Sequence, residues 1–170
     1  SSMFAWQFAK AQYTADLNGW TRFVSMQNHY NLVYREEERE MNPLCEDMGV
    51  GLIPWSPLAR GFLAGNRTRE DFGETARAKS DGFAQSMYYE AIDFDIVDRC
   101  KEIANKHGKS SAQIALAWML HQSNVTAPII GATKINHLNE AMAAVDITLD
   151  SDEIAYLEDL YQPKSILGHS

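Results

Sequence analysis

The stretch Val50-Gly51-Leu52-Ile53-Pro54-Trp55-Ser56-Pro57-Leu58-Ala59-Arg60-Gly61 decides the fold. Val50 to Trp55 is nearly all apolar, as in a parallel strand buried on both faces. Pro54 lies near its end, where a missing ladder donor disturbs least. In parallel α/β sheets, ligands sit beyond the C-terminal strand ends. A flat aromatic, a hydroxyl and a run of backbone amides at this place suit a planar ring and a phosphate. The plainer reading is a turn with a core tryptophan, and local spacing does not choose between them.

Upstream, Phe4 to Asn18 has apolar residues at three- and four-residue spacing, with Ser1 or Ser2 available as N-cap and Gly19 to close it, which predicts an amphipathic helix. Arg22 to Gln27 is of strand length and runs into the polar group Asn28-His29-Tyr30-Asn31, read as a loop. Arg35 to Met48 predicts a helix that Pro43 bends or re-initiates, ending at Gly49. Downstream, residues 56–88 show little periodicity, and a connection that long is more often functional than idle. Helices are expected over Phe94–His107 and Ser111–Gln122, parted by Gly108. A strand follows over Ala127–Gly131, then helices over Ile135–Val145 and Ser151–Leu160, the last opened by Ser151 with Asp152 and Glu153 in its first turn. Helices alternating with strands imply a parallel α/β sheet in a single domain, 1–170.

The chain has 170 residues, 45% hydrophobic and 22% charged, with 15 Lys+Arg against 23 Asp+Glu and a net charge of −8. This balance argues against a nucleic-acid or anionic-membrane binder, which needs clustered positive charge. No uncharged run is long enough to span a bilayer. Cys45 and Cys100 are too few for a disulfide framework and lack metal-site spacing, so reduced buried thiols, a cytoplasmic location and no metal are expected. The first residues carry no secretory signal pattern and no initiator Met.

A complete eightfold β/α barrel takes about 250 residues, roughly thirty per unit. Three strands and the tail of a fourth before Ser1 make about half of one. Two open apolar edges would need completion by an N-terminal segment, a second copy of the chain or a partner protein.

Gly131-Ala132-Thr133-Lys134 lies between a strand and a helix, where unpaired amides attract anions, and Lys134 or His137 would add charge. A plain strand-to-helix turn is the alternative. Gln27 ends another strand, where its carboxamide could pair with an amide of a ligand, although exposed loop polarity is the commoner meaning of Gln27-Asn28-His29-Tyr30. His29 beside Tyr30 has the makings of a proton-transfer pair, yet adjacent residues on an extended segment point to opposite faces. Arg60, Arg67, Arg69 and Arg77 gather charge in one loop, a pattern that a lid over a phosphorylated ligand would need and a solvated loop would merely tolerate. Glu36-Glu37-Glu38 reads most simply as a solvated helix face.

Four motifs, Ser1-Ser2-Met3, Ser25-Met26-Gln27-Asn28-His29-Tyr30-Asn31, Ile53 to Gly61 and Pro128-Ile129-Ile130-Gly131-Ala132-Thr133-Lys134, together resemble the aldo-keto reductase superfamily. The resemblance is strongest to its aryl-alcohol dehydrogenase-like branch and extends to potassium-channel β subunits. It implies a partial (β/α)8 TIM barrel, roughly the second half, from the end of strand 5 through strand 8. It also implies an oxidoreductase using NADP(H) on a small carbonyl or alcohol substrate. By that resemblance Ser1 and Gln27 face the carboxamide with Ser2 near them, and Trp55 stacks on the nicotinamide where many members have Tyr. Ser56, Leu58 and Arg60 wrap the pyrophosphate, with Arg77 reaching the phosphates. Gly131, Thr133, Lys134, His137 and Glu140 surround the adenosine and its 2′-phosphate. His137 stands where Arg or Gln is frequent, and Ala141 where Asn commonly holds the adenine. The family's catalytic Asp, Tyr, Lys and His come from the first four strands and match no position here. The other readings are a non-reducing relative acting as a binding or regulatory module, and a homodimeric half-barrel whose proton transfer or dehydration uses His29, Tyr30 or Tyr34.

Overall fold

The computed structural model describes residues 1–69 and 87–168. At its centre, extended segments lie side by side. β1 (Ser25–Met26) pairs in parallel with β2 (Gly51–Leu52), Ser25 opposite Gly51 and Met26 opposite Leu52. The ladder continues as single parallel bridges, His29 with Trp55, Leu52 with Val125 and Trp55 with Ile129. On the other flank the Ser2 N–H donates to the Gln27 carbonyl at 3.0 Å. Spatial order therefore follows chain order, as expected of parallel strands joined by helical crossovers.

The strand expected over Ala127–Gly131 is reduced to those bridges. The Leu52 carbonyl accepts from both the Thr126 N–H at 2.8 Å and the Ala127 N–H at 3.3 Å. The offset between paired residues grows by one from Leu52–Val125 to Trp55–Ile129. One inserted residue of this kind is a bulge, and it interrupts the ladder.

Helix α1 (Ala5–Asn18) starts one residue after the sequence reading, with Phe4 and not a serine preceding it. The Phe4 N–H is satisfied by Gln7 Oε1 at 3.1 Å, while both serine hydroxyls turn to the sheet ends described below. Gly19, at φ 66°, ends the helix in the left-handed region. The expected helix over Arg35–Met48 is two pieces, a 3-10 turn at Glu36–Glu38 and α2 (Met41–Asp47). Pro43 sits in the first turn of α2, where its missing N–H has no partner to lose. Glu36 and Glu37 are buried, so this is not the solvated face their charge implied.

α3 (Ala91–His107) and α4 (Ser111–His121) pack on each other, α4 capped by the Ser110 hydroxyl. α5 (Ile135–Ala143) runs into a 3-10 turn, Ala144–Asp146. α6 (Ser151–Glu158) is capped by Asp150, not Ser151, through Asp152 N–H at 3.0 Å and Glu153 N–H at 2.8 Å. A carboxylate accepting both amides also suits the positive end of the helix dipole. Among the described residues no helix is long and apolar enough to cross a membrane.

Two apolar clusters hold the sheet. The larger joins Phe62 and Leu63 to α3, α4 and α6 around Trp118, whose indole N–H donates to Glu158 Oε1 at 2.7 Å. The smaller joins Phe8, Met26, Met41, Cys45, Val50 and Leu52. Cys45 and Cys100 are both fully buried. Burial pushes the thiols up to about 11 and about 12, so little of either is the reactive thiolate at neutral pH.

Each flank of the sheet carries an apolar surface. On one, Trp6, Tyr13 and Leu17 of α1 are exposed beside Trp20, Phe23 and Val24. On the other, Ile129, Ile135, Leu138, Met142 and Val145 are exposed, and α5 buries no residue. Helical spacing of exposed apolar residues beside open strand edges drives association. Sedimentation velocity of the 170-residue chain is expected to show concentration-dependent self-association, reduced by Leu17→Lys or Met142→Lys. A monomer at every concentration would contradict this.

Candidate functional site

All four extended segments end on the same side of the sheet, and Ser1, Ser2, Gln27 and Trp55 meet there. The Ser1 hydroxyl donates to the Gln27 carbonyl at 3.1 Å, and the Trp55 indole N–H donates to Ser2 Oγ at 3.1 Å. Ser1, Ser2, Gln27 and Trp55 therefore form one connected group. The parallel bridge between His29 and Trp55 then places the two rings face to face. Their centroids lie 4.2 Å apart at 13°, and on the other face of His29 lies Tyr34, at 4.1 Å and 13°. Trp55 is half-buried, whereas His29 and Tyr34 are fully buried.

The segment after Gln27 is not an exposed polar loop. Asn28, His29, Tyr30 and Asn31 are all buried. Asn28 Nδ2 donates to Asn42 Oδ1 at 2.9 Å, and the Tyr30 hydroxyl donates to Glu38 Oε1 at 2.6 Å. His29 Nε2 lies 2.6 Å from the Tyr88 hydroxyl, to which Asn31 Nδ2 also donates at 3.2 Å. His29 and Tyr30 thus have different partners and do not form a proton-transfer pair with each other. Burial pushes the Tyr34 and Tyr88 phenols up to about 12 each, and drives that of Tyr30 well above the ordinary range, reinforced by Glu38.

The loop after Trp55 is strained. Ser56, Ala59 and Arg60 have φ of 56°, 48° and 56°, and Gly61 89°. Left-handed non-glycine residues cost of order 1–3 kcal/mol each and concentrate at functional sites. The backbone amides are not the open run that the sequence suggested. Ala59 N–H donates to the Ser56 carbonyl, Arg60 N–H to Ser56 Oγ and Gly61 N–H to the Leu58 carbonyl. Ser56 therefore shapes the loop, and Leu58 packs on the larger apolar cluster.

The arginines divide. Arg67 is buried, donating to the Arg60 carbonyl at 3.0 Å and to the Tyr89 hydroxyl, with its guanidinium over the Tyr89 ring. Arg69 pairs with Asp95 and Asp98 of α3. These two fasten the loop and do not form the lid expected of them. Arg60 is half-buried, and Arg77 lies outside the described residues. Gly131, Thr133, Lys134, His137 and Glu140 are all exposed, on the segment that leaves the sheet just beyond the Trp55–Ile129 bridge.

Two further features carry no local signal in the residues. Tyr88 reaches His29 from 59 residues away. A strap over residues 161–168 crosses the site's flank. The Leu167 N–H donates to the Tyr34 hydroxyl at 2.8 Å, and a Cβ built on Gly168 would lie 3.6 Å from Trp55. Lys164 Nζ holds buried Asp93 at 2.6 Å. Glu36 Oε1 accepts from Lys164 N–H and from the Tyr161 hydroxyl, each at 2.7 Å, and its other oxygen pairs with Arg39.

Fold and site define a parallel α/β protein with a ring-bearing polar site at its strand ends. The sequence profile of the Aldo/keto reductase family matches residues 1–162. An aldo-keto reductase of Fusarium vanettenii is 50% identical over all of this chain, which covers 45% of that protein. A Schizosaccharomyces pombe protein bearing the name of an aryl-alcohol dehydrogenase is 46% identical over 99% of the chain, covering 47% of it. The versiconal hemiacetal acetate reductase of Aspergillus parasiticus is 47% identical over 98%, covering 48%. The chain belongs to the aldo/keto reductase family, and it spans about half the length of these relatives.

Burial raises the Glu36 carboxyl, but the bonds from Lys164 N–H, Tyr161 and Arg39 outweigh it and hold the group below its ordinary value of 4.5. A depressed folded-state value adds stability that is present above the unfolded value and lost as pH falls through the folded one. Urea unfolding followed between pH 6 and pH 3 is expected to show this loss below about 4.5. In Glu36→Gln it should be shallower. Identical acid slopes in both proteins would contradict the assignment.

Proposed function

We propose that this chain is the cofactor-binding half of an NADP(H)-dependent oxidoreductase whose parent interconverts a small carbonyl compound and its alcohol. In this reading the fold is the second half of a (β/α)8 barrel, from the end of strand 5 through strand 8. The supporting observation is the half-exposed Trp55 indole, backed by two buried rings and set among Ser1, Ser2 and Gln27 at the shared strand ends. A flat apolar ring with polar groups at its rim fits a nicotinamide, whose stacking needs a rigid face and whose carboxamide needs donors and acceptors.

When bound, NADP(H) supplies or accepts the hydride. Trp55 would carry the nicotinamide ring, Ser1 and Gln27 its carboxamide, and Ser2 would steady the indole. Arg60 would bring charge to the pyrophosphate, with Ser56 and Leu58 shaping the loop beneath and Arg77 adding a second cation. Gly131, Thr133, Lys134, His137 and Glu140 would take the adenosine and 2′-phosphate, Lys134 through charge-assisted bonds. A proton donor for the carbonyl oxygen does not come from the tyrosines around the stack. Tyr30, Tyr34 and Tyr88 are buried and bonded, with phenols raised away from neutral pH. The acid would come from polypeptide that closes the barrel against the apolar flanks, either an N-terminal half of a longer parent or a second copy. Alone, the chain would bind cofactor without turning it over, and the two buried free thiols suit a cytoplasmic location.

Titrating the chain with NADPH while following tryptophan emission tests this. A saturable quench that disappears in Trp55→Phe is expected. No saturable signal at millimolar cofactor would overturn the reading.

A further inference from the structure

We propose that His29 is a positioning residue that sets the plane of Trp55, and with it the face offered to the cofactor ring. This deepens the preceding reading and rests on it.

Three observations carry the assignment. First, His29 is the middle ring of three, parallel to Trp55 and Tyr34 within 13° at about 4 Å, and fully buried. Among the described residues, the Trp55 indole is bonded through its N–H to Ser2 Oγ. That bond fixes one edge of the indole and leaves its tilt to the ring behind it. Second, His29 cannot turn freely about its own axis. The Tyr88 hydroxyl meets Nε2 at 2.6 Å, and Asn31 Nδ2 donates to the same hydroxyl oxygen at 3.2 Å and to the Ser56 carbonyl at 3.1 Å. Asn31 Nδ2 also lies 3.3 Å from His29 Nε2 itself, so two side chains meet the same edge of the imidazole. Third, the far side of the stack is also fixed. Tyr34 accepts from the Leu167 N–H at 2.8 Å, so the strap backs Tyr34 as Tyr34 backs His29. A ring clamped at its edge by Tyr88 and pressed from behind by Tyr34 transmits a defined plane to Trp55.

The role depends on flatness more than on hydrogen bonding, and this separates it from ordinary core packing. His29→Leu keeps similar bulk but removes both the flat face and the bond to Tyr88. His29→Phe keeps the face and loses the bond to Tyr88. NADPH affinity of the 170-residue chain is expected to fall about tenfold in His29→Leu, with His29→Phe restored to within about threefold of the original. In two-dimensional spectra of tryptophan indole groups, with Trp55 identified by its loss in Trp55→Phe, the Trp55 N–H should move markedly in His29→Leu. Tyr88→Phe, which keeps the stack and removes one edge bond, should move the same signal less than His29→Leu does and leave the Trp118 signal in place.

Two failures are distinguishable. If the unaltered chain does not bind NADPH, the cofactor reading falls and this role with it. If it binds and His29→Leu binds equally well, or His29→Phe fares no better than His29→Leu, the positioning role alone is overturned. An unchanged Trp55 indole signal in His29→Leu overturns it as well, whatever the affinities.

Discussion

The parallel pairing that sets His29 opposite Trp55 is the constraint on which the site depends. One residue of slip would turn Trp55 away from His29, because side chains alternate across a strand. The hydrogen bonds from Ile53 N–H to the Met26 carbonyl and from Trp55 N–H to the Asn28 carbonyl, both 2.9 Å, lock that register. Met26 and Leu52, each wholly buried, lock it again from the opposite face. The same two strands therefore build the core with one set of side chains and the site with the other.

Around this register the chain spends its polar groups unusually. Ser1 and Ser2, adjacent to a helix start, leave the cap to Phe4 and Gln7 and bond at the sheet ends instead. Glu36 and Asp93, far apart in sequence, are both buried and bonded to the strap that carries Tyr161 and Lys164. Buried charges of this kind are tolerated only when fully bonded, and here each has its partners. The strap thereby ties the C-terminal residues to Tyr34, the rear ring of the stack.

Much of this was legible in the residues. Apolar runs, glycine stops and helical spacing located α1, β2, α3, α4 and α6 to within a few residues, since each rests on local periodicity. The placement of Ser1, Ser2, Gln27 and Trp55 at one end of the sheet followed from the strand-end motifs and the resemblance they carry. Other features were hidden for physical reasons. Asn28 to Asn31 read as a solvated loop because nothing local reveals Asn42, Glu38 and Tyr88 waiting to bond them. Glu36 looked solvated because the groups that bond it in burial, Tyr161 and Lys164, lie well over a hundred positions downstream. Arg67 and Arg69 looked like a lid because charge alone does not show that Tyr89, Asp95 and Asp98 already hold them. The bulge at Thr126 and Ala127 left only bridges where apolar residues implied a strand.

Amide hydrogen exchange tests most directly the claim that the register preforms the site on this chain. The amides of Ser2, Ile53, Trp55 and Ile129, which bond to Gln27, Met26, Asn28 and Pro54 respectively, should be protected together and lose protection at the same urea concentration. Trp55 and Ile129 exchanging at the rates of an unstructured peptide, while the amides within α3 and α4 stay protected, would contradict the account.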